Sequence, residues 1–144
     1  MGRTILVVML ALASVQTGRQ AYVGQWTAAF EGATYVRLQL TESGGALAGQ
    51  ISLGNIEVNA QGEVRRAVEA PAELTPLFDI AVRDRVLAFA RKDGNDIDRF
   101  ELRVLQDAKT AELSFIASDE FKRELAAEGL VPPKPVKLTR TDRR

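Results

Sequence analysis

Gly24-Gln25-Trp26-Thr27-Ala28-Ala29-Phe30-Glu31-Gly32-Ala33-Thr34-Tyr35-Val36-Arg37-Leu38-Gln39-Leu40-Thr41 repeats its apolar character every second residue. Trp26, Ala28 and Phe30 share one side, against Gln25, Thr27 and Glu31 on the other. Beyond a turn at Glu31-Gly32-Ala33, Val36, Leu38 and Leu40 alternate with Arg37, Gln39 and Thr41. Successive side chains of an extended strand point to opposite faces. This spacing therefore reads as two half-buried strands, not as a helix, whose apolar positions recur every three or four residues.

The same period continues outward from this stretch. Glu42-Ser43-Gly44-Gly45 is a turn, because glycine enters the positive-φ region without a Cβ clash. Leu47, Gly49, Ile51 and Leu53 alternate up to a turn or bulge at Gly54-Asn55, and Ile56 and Val58 make a shorter strand ending at Ala60-Gln61-Gly62. Residues 63–68 are ambiguous, with Val64 and Val68 around Arg65-Arg66. Ala70-Pro71 through Pro76 reads as a linker within the fold, since each proline removes a ladder donor.

Phe78, Ile80 and Val82 resume the alternation, and all three are expected to face inward before a polar Arg83-Asp84-Arg85 turn. Val86 to Ala90 is apolar at both parities, as in a strand covered on both sides. Lys92-Asp93-Gly94-Asn95 predicts a hairpin leading into Phe100, Leu102 and Val104, and Ala111, Leu113, Phe115 and Ala117 form a further strand. One helix follows. Ser118 caps it, Asp119 and Glu120 suit its positive end, Gly129 stops it, and Phe121 and Leu125 are expected to pack on the barrel or sheet. Pro132-Pro133-Lys134-Pro135 forces an extended link to a last strand carrying Val136, Leu138 and Arg140 on one face. The fold expected is all-β: an antiparallel meander of eight to ten strands closing as a barrel, with one short helix before the last strand. A β-sandwich is the alternative. Closure has a physical motive, because it removes strand edges that would otherwise pair with other chains.

Composition narrows the chemistry. The chain has 144 residues, enough for one domain with a single core, and its 46% hydrophobic content is too high for a disordered tail. With 19 basic and 19 acidic side chains there is no net charge and no basic excess to neutralise phosphates, so nucleic acid is not an expected partner. There is neither cysteine nor histidine. Disulfides, thiolate nucleophiles, Ser–His–Asp triads and Cys- or His-based metal sites are thereby excluded. Carboxylate pairs, Ser–Lys dyads, Tyr and Arg remain as means of catalysis.

Met1-Gly2-Arg3, the uncharged run Ile5–Ala13 and the small residues Ala11 and Ala13 have the three-part form of a secretory signal peptide. A membrane anchor or a buried strand is the other reading. The apolar run ends at Val15, well short of the roughly 20 residues a spanning helix needs, so no transmembrane span is expected after its removal. The segment is assigned to residues 1–21, with cleavage after Ala13, Thr17 or Ala21. A single domain over 22–141 and a frayed tail at 142–144 follow. Loss of residues 1–17 takes away Arg3 and leaves a net charge of −1. The expected location is secreted or periplasmic, and an exported domain of this size without disulfides must rest on its apolar core.

Gly24-Gln25-Trp26 at the start of the first strand resembles the Gly-x-Trp signature of lipocalins and their calycin relatives. In that group a basic residue of the last strand packs across the Trp ring, and Arg140 occupies such a place. The helix before the final strand is also similar to the lipocalin order. The whole pattern looks like small secreted bacterial domains with a Gly-x-Trp start and a Leu-Thr-Arg ending. The short loops and the missing cysteines depart from typical lipocalins. The resemblance implies a structural Trp26–Arg140 pair and an apolar ligand inside the barrel. It carries over no catalytic residue and no cofactor.

The barrel interior is therefore the candidate ligand site, lined by Trp26, Phe30, Leu38 and Ile51 from the first half. Phe78, Phe89, Phe100 and Phe115 line it from the second. Small inward residues opposite large ones can equally interdigitate into a solid core. Asp93, Asn95, Asp96 and Asp98 put four oxygen donors in six residues, a weak calcium candidate that lacks the EF-hand spacing and reads more simply as a polar hairpin. Glu57, Glu69, Asp79, Glu101 and Glu112 are the candidates for a hydrolase pair. The leading expectation is a binding module for a small apolar molecule. A structural or protein-interaction domain and a carboxylate hydrolase are the alternatives.

Overall fold

The computed structural model describes residues 18–141, so residues 1–17 of the expected leader (1–21) and the tail at 142–144 lie outside the described residues. Ten strands and one helix follow in order: β1 (Gly24–Phe30), β2 (Ala33–Ser43), β3 (Ala46–Leu53), β4 (Ile56–Val58), β5 (Val64–Ala67), β6 (Thr75–Arg83), β7 (Val86–Asp93), β8 (Asp96–Val104), β9 (Thr110–Phe115), α1 (Asp119–Ala127) and β10 (Val136–Thr141). Eight strands close an antiparallel barrel in the order β1-β10-β9-β8-β7-β6-β3-β2, while β4 and β5 form a separate two-stranded ribbon. This is the barrel expected, and its topology is compatible with a calycin-like fold. The ambiguous stretch at 63–68 holds strand β5.

Two-residue turns set the meander. Gly44 and Gly45, at φ 61° and 83°, join Ser43 to Ala46, and Asp84 and Arg85, at φ 50° and 67°, join Arg83 to Val86. Both have positive φ at the two central positions, the hairpin geometry whose twist matches that of the flanking strands. Glycine enters it freely, whereas Asp84 and Arg85 carry a local steric cost.

The pairing register places Trp26 opposite Leu38, and Leu38 opposite Ile51. Across the barrel Phe89 faces Phe100 and Leu87 faces Leu102. All of these belong to one core cluster, and Trp26, Leu38, Ile51, Phe89, Leu87 and Leu102 are among its largest fully buried members. Their apolar area, at roughly 25 cal/mol per Å² removed from water, drives closure.

Two expectations are corrected. Phe78 does not point inward: Leu77 pairs with Arg91 and Phe78 with Ala90, and Leu77 is the one packed against the core. A register shift between Phe78 and Ala81, with Asp79 at φ 53°, inserts extra backbone into β6 and breaks its alternation. Beyond the shift the expected parity returns: Ile80 packs against the core and Val82 pairs with Leu87, although at the end of the strand it is 46% exposed. The helix is the second correction. Ser118 accepts the Phe121 N–H at 3.1 Å, and Gly129, at φ 72°, closes the other end. There the Gly129 and Leu130 amides donate to the Ala126 and Leu125 carbonyls at 3.0 and 2.8 Å, a Schellman closure. Yet α1 buries none of its residues. Its one aromatic contact is edge-on, Phe121 against Phe115 at 5.8 Å between ring centres.

Candidate functional site

The two ends of the barrel are built differently. At the end where β1 begins, residues 18–20 are helical and the chain then crosses the opening. Tyr22 is 4% exposed, and its carbonyl accepts the Trp26 indole N–H at 3.0 Å. The Arg140 guanidinium lies 4.5 Å from the centre of the Trp26 ring and donates to the Ala21 carbonyl. Arg19 and Gln20 reach Glu42 at the end of β2, at 3.8 and 2.7 Å. Gly24, at φ 140°, carries the chain past Arg140, whose side-chain carbons would lie 3.7 Å from any added Cβ. The expected Trp26–Arg140 pair is therefore present, and it forms the floor of a sealed end.

The opposite end is open. There the ends of β3, β7 and β9 meet the starts of β2, β8 and β10, and a half-open cleft of about 1020 Å³ lies between these strands and α1. Its apolar wall is Tyr35, Val36, Phe100, Leu113, Phe115 and Phe121. The rings of Phe89, Phe100 and Phe115 follow one another at 5.4 and 5.8 Å, running from the solid core up to the helix. The β4–β5 ribbon leans on the same rim. Gly54 crosses Val68 so closely that a Cβ would lie 1.8 Å from the Val68 carbonyl, and the Gly62 carbonyl accepts the Lys134 N–H at 2.8 Å.

Of the eight interior residues expected from sequence, Phe100 and Phe115 line this cleft. Trp26, Leu38, Ile51 and Phe89 fill the solid part of the barrel, each at most 2% exposed. Phe30 packs partly buried against the core, and Phe78 lies on the outer face. The barrel is neither wholly filled nor wholly hollow. It is solid toward its capped end and open toward the helix.

An ion pair enters the wall that sequence reasoning missed. Arg91 pairs with Asp98 in register and shares the inward parity of Phe89 and Phe100. Its Nε lies 3.1 Å from an Asp98 carboxyl oxygen, and its side chain is only 16% exposed. Asp93 stands 3.8 Å away on the same arginine. The alternation Leu87, Phe89, Arg91 was the available signal, and the hairpin that follows obscured it. Asp98 is thus held by a guanidinium, and the described residues contain no group of three or more acidic side chains able to hold a metal ion.

The carboxylates considered for hydrolysis are separated. Glu57, Glu69 and Asp79 are exposed and paired to different arginines: Glu57 with Arg65 and Arg66, Glu69 with Arg37, and Asp79 with Arg99. Glu101 and Glu112 are exposed on β8 and β9. Glu69 accepts the Thr34 N–H at 2.9 Å, and this bond, followed by the Arg37 guanidinium, holds its carboxyl below the usual range. That contact ties residues 69–74 to the outside of β2, beside a second cleft of about 650 Å³. Burial pushes the Tyr22 and Tyr35 hydroxyls up, so both remain neutral.

Among the described residues no helix is long and apolar enough to cross a membrane. Compared with protein-family models, curated proteins and solved structures, the chain has no significant match.

Proposed function

We propose that this protein is an exported, calycin-like binding module that takes a small apolar molecule in the open end of its barrel. The observation that carries the reading is the asymmetry of the interior: a sealed floor at Trp26 and Arg140, and an aromatic-walled cleft beside α1. Small-molecule sites are typically concave, about 300–1,000 Å³ and mostly apolar, with a few convergent polar groups. The cleft, at about 1020 Å³, lies at the top of this range, and the Arg91–Asp98 pair with six further charged side chains supplies its polar rim. The Trp26–Arg140 contact supports the calycin-like relationship, and the three-part leader supports export.

Native mass spectrometry of the protein purified from the exported fraction tests this directly, by looking for a bound small molecule. Nile red, an uncharged environment-sensitive dye, provides the complementary titration. Its fluorescence is expected to rise saturably with the native chain. Ala117→Trp, which fills the cleft from its wall, is expected to abolish the rise without lowering the melting temperature. A chain that binds neither a co-purified molecule nor the dye is not a ligand carrier.

A second reading, a protein-interaction domain, is favoured by one observation. Ile116, Phe121, Leu130 and Val131 are between 37% and 45% exposed and cluster around the two ends of α1. Apolar residues grouped this way mark docking surfaces in many proteins. Dye binding that survives Ala117→Trp but is lost on Leu130→Ser would favour this surface over the cleft.

A further inference from the structure

We infer that the molecule taken by the cleft is an amphiphile with a cationic head, held by the carboxylates of the rim. The inference rests on the binding reading above and adds a ligand class to it. The cleft carries five acidic side chains (Asp93, Asp96, Asp98, Glu120 and Glu124) and three basic ones (Arg91, Arg99 and Lys134). Its lining is therefore net −2, whereas the whole chain is neutral.

Pairing sharpens the imbalance. Arg91 is engaged by Asp98 at 3.1 Å and Asp93 at 3.8 Å, and Arg99 by Asp79 at 3.6 Å. No ion pair among the described residues involves Asp96, Glu120 or Glu124. Two of these carboxylates stand on α1 and the third at the start of β8. Lys134 is likewise in no ion pair among the described residues, so an anionic head meets one unengaged base against three unengaged carboxylates, and at Arg91 it would have to displace Asp98 from a guanidinium that is 16% exposed. A cationic head meets unengaged carboxylates and leaves the Arg91–Asp98 pair intact. The tail then lies along Phe100, Phe115 and Phe121, whose ring faces also attract a cation.

Three dodecyl compounds with the same tail separate the possibilities: dodecyltrimethylammonium, dodecanol and dodecanoate. Each would compete with Nile red below micelle-forming concentrations. The ammonium compound is expected to displace the dye at an about 5- to 10-fold lower concentration than dodecanol, and dodecanoate to be the weakest, as for one charge against two or three partly screened ones. The advantage should shrink in high salt. In the triple variant Asp96→Asn/Glu120→Gln/Glu124→Gln it should vanish while dodecanol competes as before, a pattern that misfolding would not produce. Equal competition by the three compounds, or preference for dodecanoate, overturns the head-group assignment and leaves the apolar site standing. Failure of the native chain to bind Nile red at all overturns both.

Discussion

Trp26 illustrates how much one side chain carries. Its ring is fully buried, its N–H is satisfied by the Tyr22 carbonyl, and Arg140 covers its face. Trp26→Ala is expected to cost about 3–5 kcal/mol, read by urea denaturation, because it empties the floor of the barrel and leaves Arg140 without the ring it stacks on. Melting close to the native value would show that the floor is not part of the stabilising core. Glu69 works at the surface instead. Its carboxyl is held low by the Thr34 N–H and then by Arg37, so the charged form is favoured in the folded state. Such a group contributes stability above the ordinary carboxylate pKa and loses it as pH falls through the lowered folded value. Stability measured against pH should therefore fall more steeply on the acid side in the native chain than in Glu69→Gln, and the two curves should converge at low pH. Parallel curves would mean that the contact contributes nothing.

At the level of elements, the N-terminal cap and the helix behave oppositely. The turn at 18–23 is short, yet it hydrogen-bonds to itself, reaches Glu42 and presents two carbonyls to Trp26 and Arg140. A chain beginning at Gly18 is expected to melt several degrees higher than one beginning at Tyr22, since the shorter chain loses the Ala21 acceptor and the Glu42 contacts. If export removes the leader as proposed, the intact mass of the mature protein should correspond to cleavage after Thr17 or Ala13, not after Ala21. Identical melting of the two chains would show that the cap does not stabilise the barrel. The helix, by contrast, is well capped but buries nothing. Its caps were readable as Ser118, Asp119, Glu120 and Gly129, because capping is a local hydrogen-bond problem solved within a few residues. Its loose packing was not readable, since Phe121 and Leu125 at one-turn spacing look the same whether they meet a core or the rim of a cleft. Phe78 was misplaced for a related reason. The alternation Phe78, Ile80, Val82 is genuine in the sequence, but the register shift beside Asp79 splits it, so that Phe78 faces out with Ala90 while Ile80 meets the core and Val82 pairs with Leu87.

For the molecule as a whole, closure of the barrel is uneven. β2 pairs with β3 at eight positions, whereas β3 meets β6 at only two, Gln50 with Pro76 and Ile51 with Thr75. Pro76 has no amide to donate, so this seam is the weakest of the eight. Hydrogen exchange should find the β3 and β6 amides that face this seam less protected than those of Leu87, Phe89 and Leu102, and uniform protection around the barrel would contradict that seam. The Trp26–Arg140 pairing was an implication of the calycin resemblance, whereas the all-β class, the hairpin turns and the helix with its caps were legible in the residues themselves. Each of these depends on period, turn chemistry or a residue type that few alternatives satisfy. Only the tertiary structure decided that the interior is solid at one end and open at the other, that Arg91 and Asp98 enter its wall, and that the hydrolase candidates stand apart. Those outcomes depend on strand register and on which end the cap seals. A period of two specifies that faces alternate, but neither how deep each residue lies along the barrel nor which charges meet at its mouth.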